Sequence, residues 1–125
     1  MGLFGKFIGL VAAVAAAMIF SSCGNREVGQ IMDSAEGVMW TRPDSALATL
    51  ESIDTLSLKT KAQRARYSLL YTMALCRNHL TISDLRVIKP AASYYEHHGS
   101  NDDKMKMYLY LGTAQYDTGD PESAI

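Results

Sequence analysis

The residues able to do chemistry in this 125-residue chain are few: Cys23, Cys76, His79, the pair His97-His98, the pair Asp102-Asp103 and one basic cluster. Cys76 sits on an apolar stripe at helical spacing, with no histidine nearby in sequence to activate it. A reactive cysteine needs a lowered pKa, and a lone cysteine on such a stripe serves as a small core residue. Adjacent His97 and His98 would point in different directions on a helix. No cysteine or carboxylate stands at a ligand spacing from them, so they are expected at a helix end, without a metal. His79 is expected to be solvated in a loop. Asp102 and Asp103 have an ordinary place in a first helical turn, where acids meet the positive end of the dipole. Lys59, Lys61, Arg64 and Arg66 form the densest charge. They could touch acidic lipid or phosphate, but a solvated helix face balanced by acids elsewhere accounts for them. Gly-x-Ser-x-Gly, the P-loop and Gly-x-Gly-x-x-Gly are all absent. The expectation is no enzyme, no catalytic residue, no cofactor and no metal.

The formal charge of −1 lacks the basic footprint of a nucleic-acid binder, so no nucleic-acid partner is expected for these residues. The length allows one domain at most. Lys6 is the only charge among residues 1–22, and Phe7 to Phe20 is uninterrupted by any charge. A basic start, a short apolar run and small residues before a cut are the layout of a secretory signal. The run is shorter than the ~20 residues that span a bilayer comfortably. An uncleaved anchor from Gly2 to Ser22 is the alternative.

Phe20-Ser21-Ser22-Cys23-Gly24 resembles the lipobox of bacterial lipoproteins, with Phe20 where leucine is usual. The resemblance implies cleavage before Cys23, a diacylglycerol on its thiol and a membrane partner reached through that lipid. Acyl chains contribute about 0.8 kcal/mol per buried methylene, so two or three hold a protein stably. With Cys23 consumed, Cys76 is unpaired and a disulfide framework is not expected. Lys6 excludes the myristoylation pattern. The organisation expected is a signal peptide over 1–22, a lipidated tether over 23–26 and helical repeats over 27–125.

Those repeats rest on apolar spacing. Ile31, Ala35, Val38 and Met39 predict a helix from Glu27 to Met39. Pro43 and Asp44 open a second, carrying Ala46, Leu47, Leu50 and Ile53. A loop follows over Asp54 to Ser57. A third helix runs from about Lys59 to Arg77, with Ala62, Ala65, Leu69, Met73 and Cys76 on one face and Leu70 and Ala74 beside it. Asn78-His79 breaks it. A fourth starts near Ser83 as N-cap, buries Leu85, Ile88, Ala92 and Tyr95, and stops at Gly99. Pro90 should kink or split it. Asn101 caps a fifth, whose inner face is predicted as Met105, Tyr108, Leu109, Gly112 and Tyr116. Gly119 ends it, and Pro121 opens a sixth. No strand pattern of useful length is present.

Pro43-Asp44-Ser45-Ala46-Leu47 returns as Pro121-Glu122-Ser123-Ala124-Ile125, and repetition of a helix pair marks a solenoid. One pair cannot bury its own face and needs a stacked neighbour. Tyr108, Leu111, Gly112, Gly119 and Ala124 look like a tetratricopeptide repeat, with Gln115 and Pro121 as departures. A second register places Ser34 and Ser68 at the family's small-residue site, one period of ~34 residues apart, with Tyr71 at an aromatic site. An insertion near Asn78 to Ile82 makes the middle unit degenerate.

The whole resembles bacterial tetratricopeptide lipoproteins of the cell envelope: all-α, antiparallel helix pairs stacked as a solenoid, anchored on the periplasmic side or outer surface. The stop at Ile125, as a helix begins, predicts a fragment with a truncated last repeat. The resemblance implies an interaction scaffold for a protein or peptide partner. Its concave face, carried over from the family, is Thr72, Met73, Lys106, Leu109, Thr113 and Tyr116. A second reading is the sensor half of a regulator whose output domain follows. A third is a glycan-capturing lipoprotein, for which Trp40 is the single tryptophan platform.

Overall fold

The structure, a computed structural model, describes residues 24–119. The signal segment, Cys23, the second half of the repeated motif and the sixth helix lie outside the described residues. The described chain is all-α: α1 (Gly24–Val38), α2 (Pro43–Glu51), α3 (Lys61–Arg77), α4 (Lys89–Tyr95) and α5 (Asn101–Asp117), with single 3-10 turns at Thr55–Ser57 and Leu85–Val87.

Helix α1 places Val28, Met32 and Ala35 in the core, with Met39 just past its end. It begins at Gly24, three residues before the expected start at Glu27, and Glu27 lies in its first turn, where an acid meets the positive end of the dipole. Pro43 opens α2 as expected, because its missing N–H is one the first turn leaves unpaired anyway. Ala46 and Leu50 are buried from this helix, and Ile53 from just beyond it. The expected loop after it winds into a 3-10 turn, since the Asp54 side chain accepts from the Leu56 N–H at 3.0 Å.

Helix α3 is the centre of the fold and touches each of the other four helices. It starts two residues later than expected. Thr60 caps it by accepting from Gln63 N–H at 3.1 Å, while the Gln63 side chain accepts from the Thr60 N–H at 3.1 Å. This reciprocal pair satisfies two of the N–H groups a helix start leaves open. Ala65, Ser68, Leu69, Leu70, Thr72, Met73 and Ala74 are all buried, so contacts surround most of its middle, whereas Ala62 is exposed. Cys76 is only half-buried.

The end of α3 is a hydrogen-bonded cap: His79 N–H donates to Cys76 C=O at 3.1 Å, and Leu80 N–H to Leu75 C=O at 2.9 Å. The pattern requires a left-handed residue, and His79 supplies it at φ 57°. A side chain there costs energy that glycine does not. His79→Gly should therefore raise stability by about 0.5–1 kcal/mol, read as a higher Tm. An unchanged or lower Tm would mean that the imidazole makes a compensating contact.

Beyond the cap, buried Ile82 donates its N–H to the Asp117 carboxylate at 3.0 Å, tying this connection to the end of α5. The expected fourth helix is divided. Asp84, in place of Ser83, caps the 3-10 turn by accepting from Arg86 N–H at 2.8 Å. Pro90 then lies in the first turn of α4, the position where its missing donor costs nothing. Ile88, Ala91 and Tyr95 are buried, Ala92 is partly buried, and Leu85 is exposed because it belongs to the turn. Helix α4 ends at Tyr95, and the chain reverses through Gly99 at φ 88°, where an added Cβ would stand 2.9 Å from the Tyr95 ring.

Ser100, one residue before the expected Asn101, caps α5. It accepts from Asp103 N–H at 3.1 Å, while the Asp103 carboxylate accepts from Ser100 N–H at 3.1 Å. The inner face of α5 also differs from expectation. Met107, Tyr110 and Ala114 are buried, and Leu111 packs beside them. Met105, Tyr108, Leu109 and Tyr116 are each more than half exposed. Both sets repeat at helical spacing, so α5 is apolar on two sides, and only the first meets α3 and α4.

Candidate interaction groove

Helices α1, α3 and α5 converge on a groove of about 270 Å³. Leu69, Leu70 and Met73 of α3 line it with Tyr95 of α4. Glu36, Arg66, Asp103 and Lys106 supply its charge. Arg66 reaches from α3 to α1 and donates to Asp33 at 2.6 Å and Glu36 at 2.9 Å. Burial lowers its pKa, but the hydrogen bonds to these two carboxylates outweigh that and raise it. Lys106 pairs with Asp102 one turn away at 2.9 Å, and this hydrogen bond raises its pKa. The Tyr95 hydroxyl is pushed up to about 12, first by burial and then by the nearby Asp103 carboxylate.

Arg66 is thus committed to Asp33 and Glu36, Lys106 to Asp102, and the Asp103 carboxylate to its cap. The chemistry left is a mixed surface: apolar side chains for contact area, with hydrogen-bonding groups beside them. Such a surface suits an uncharged extended segment more than an ion.

Of the residues carried over from the family, Met73 and Lys106 line this groove. Thr72 does not line it: it is buried, and its hydroxyl donates to Ser68 C=O at 2.8 Å within the helix. Leu109 and Tyr116 stand on the outward side of α5. Thr113, partly buried, donates to Leu109 C=O at 3.0 Å. The groove residues that sequence reasoning passed over are Glu36, Arg66, Leu69, Leu70, Tyr95 and Asp103. Arg66 belongs to the basic cluster for which the sequence predicts a solvated face. The one available signal was Asp33 and Glu36 a turn apart on α1, an acidic pair in want of a cation.

Elsewhere, Cys76 has its pKa raised by burial and then by Asp117, which keeps the thiol neutral and poorly nucleophilic. His98 stacks on Tyr94 with ring centroids 4.7 Å apart. Among the described residues no group of three or more His, Cys, Asp and Glu is placed to hold a metal. Trp40 is exposed, but the Arg77 guanidinium lies 4.6 Å over its ring, so one face is occupied. No helix among the described residues is long and apolar enough to cross a membrane. Compared with family models, curated proteins and solved structures, the chain matches none.

Proposed function

We propose that this protein is a helical-repeat interaction module, tethered to a bacterial envelope membrane by lipid on Cys23, whose groove takes an extended segment of a partner protein. The observation that carries the reading is that α1, α3 and α5 supply every residue of the groove lining except Tyr95 of α4. Helices α2 and α4 meanwhile pack against their neighbours in the chain. Stacked helix pairs of the tetratricopeptide kind have this arrangement, with the first helix of each pair on the concave side. Internal pairing of Arg66 and Lys106 supports a partner bound by apolar contact and backbone hydrogen bonds. The exposed apolar side of α5 is where a further helix pair would stack, since a repeat buries its face against a neighbour.

A photo-crosslinking amino acid placed at Lys106, in the groove, and at Ala48, exposed on α2, tests this in intact cells of the source bacterium. The expected result is a discrete protein adduct from position 106 and none from 48, with radiolabelled fatty acid incorporated by the parent and not by Cys23→Ser. Equal labelling from both positions, or none from either, would overturn the groove. Absence of fatty-acid label from the parent, or its persistence in Cys23→Ser, would overturn the anchor.

A further inference from the structure

A second cleft lies away from the groove residues, bounded by the first half of α3, the two 3-10 turns and the start of α4. Its volume is about 300 Å³, and Leu58, Tyr67, Tyr71, Val87 and Pro90 give it an apolar lining. Tyr67 and Tyr71 form one stacked wall, with centroids 5.7 Å apart and planes 13° from parallel. An adjoining depression of about 350 Å³ shares Arg64 and Pro90 with it and adds Lys61 and His98. An apolar slot therefore runs into a cationic one.

The cations there differ from those of the groove. In the groove Arg66 holds two carboxylates; in the second cleft Arg86 also lines the slot but is neutralised by Asp84 at 2.6 Å. Arg64 and Lys61 have no ion pair with a carboxylate of the described residues. One Arg64 Nη donates to Leu58 C=O at 3.0 Å, which fixes the guanidinium where the two depressions meet. A planar guanidinium held in place beside an apolar slot suits a carboxylate or sulfonate, which it can engage through two parallel hydrogen bonds.

We propose that this cleft binds a small organic anion: a carboxylate or sulfonate carried on a flat apolar body of about the size of naphthalene. The body occupies the slot walled by Tyr67 and Tyr71, and the head meets Arg64 and Lys61. The volume lies at the low end of the range for ligand pockets, about 300–1,000 Å³, which favours a small ligand. The site is independent of the groove and shares no residue with it.

The test is titration of the full chain in lipid nanodiscs with 2-naphthoate by calorimetry, empty discs serving as the blank. The neutral isostere 2-naphthylmethanol is titrated in parallel. Saturable one-site binding of naphthoate is expected, weakening about tenfold or more for the neutral isostere and for Lys61→Gln/Arg64→Gln, since each removes a charge-assisted contact. Lys61→Gln alone leaves the Arg64–Leu58 contact in place, and should weaken binding by a smaller factor with an unchanged melting curve. Tyr116→Ser, on the exposed side of α5, should leave the affinity as it is. Absence of saturation, equal affinity for the neutral isostere, or loss of binding in Tyr116→Ser would overturn the proposal.

Discussion

Leu50→Ala should lower the unfolding free energy by about 2–5 kcal/mol, the usual cost of emptying a fully buried leucine site. Leu50 has no exposed surface, and it is the largest fully buried side chain of α2. That helix has nine residues, too few for a stable helix on its own in water. It persists because Leu50, with Ala46, seats it against α1 and α3. Urea unfolding followed by circular dichroism measures the effect. Ala48→Ser on the exposed side of the same helix is the control, expected within about 0.5 kcal/mol of the parent. A loss under about 1 kcal/mol for Leu50→Ala would show that α2 is not docked through this residue.

Ser68→Ala should cost about 1–3 kcal/mol although it removes a single oxygen. The Ser68 hydroxyl is buried in α3. It donates to the Val87 carbonyl of the 3-10 turn and accepts from the Ala91 N–H of α4 at 3.3 Å. Removing it leaves the Val87 carbonyl and the Ala91 N–H without this partner, and a buried group left unsatisfied costs its desolvation. The specific readout is amide exchange. The Ala91 N–H should exchange faster relative to its neighbours in α4 than global destabilisation alone predicts. Uniform acceleration across α4 and α5 would mean that the hydroxyl contributes only to packing. This contact locates the residue at the joint between α3 and α4, where the tetratricopeptide register had expected a small side chain.

The breaks between helices were legible because their causes lie within a few residues. Pro43 and Pro90 each restrict φ and lack a donor, and each stands in a first turn. Asn78-His79 and Gly99 end or reverse the chain where a left-handed residue is required. The start of α5 is displaced by one residue where two capping residues, Ser100 and Asn101, stand side by side, and that of α3 by two because the apolar spacing alone does not mark Thr60 as the cap. A reciprocal partner three residues on, Gln63 or Asp103, decides between such neighbours. That pairing is itself a sequence feature and could have been used.

The face of α5 was not legible in the same way. Met105, Tyr108, Leu109, Gly112 and Tyr116 form as regular a stripe as Met107, Tyr110, Leu111 and Ala114, and periodicity does not say which one meets α3. The same holds for Thr72, whose hydroxyl is satisfied by its own helix and so carries no penalty in the core. The groove was only partly visible: Met73 and Lys106 came from the resemblance, whereas Arg66 required a partner more than 30 residues away.

By itself, the sequence determined the all-helical class of the described chain and the approximate places where helices start and stop. Those features follow from backbone restrictions and 3.6-residue periodicity, which act over one or two turns. Only the tertiary structure decided that α3 is central, which side of α5 is covered, and that Glu36, Arg66, Met73, Tyr95 and Lys106 share a groove. Those outcomes depend on contacts between residues far apart in the chain, where the burial of one face is settled by which other faces are present to cover it.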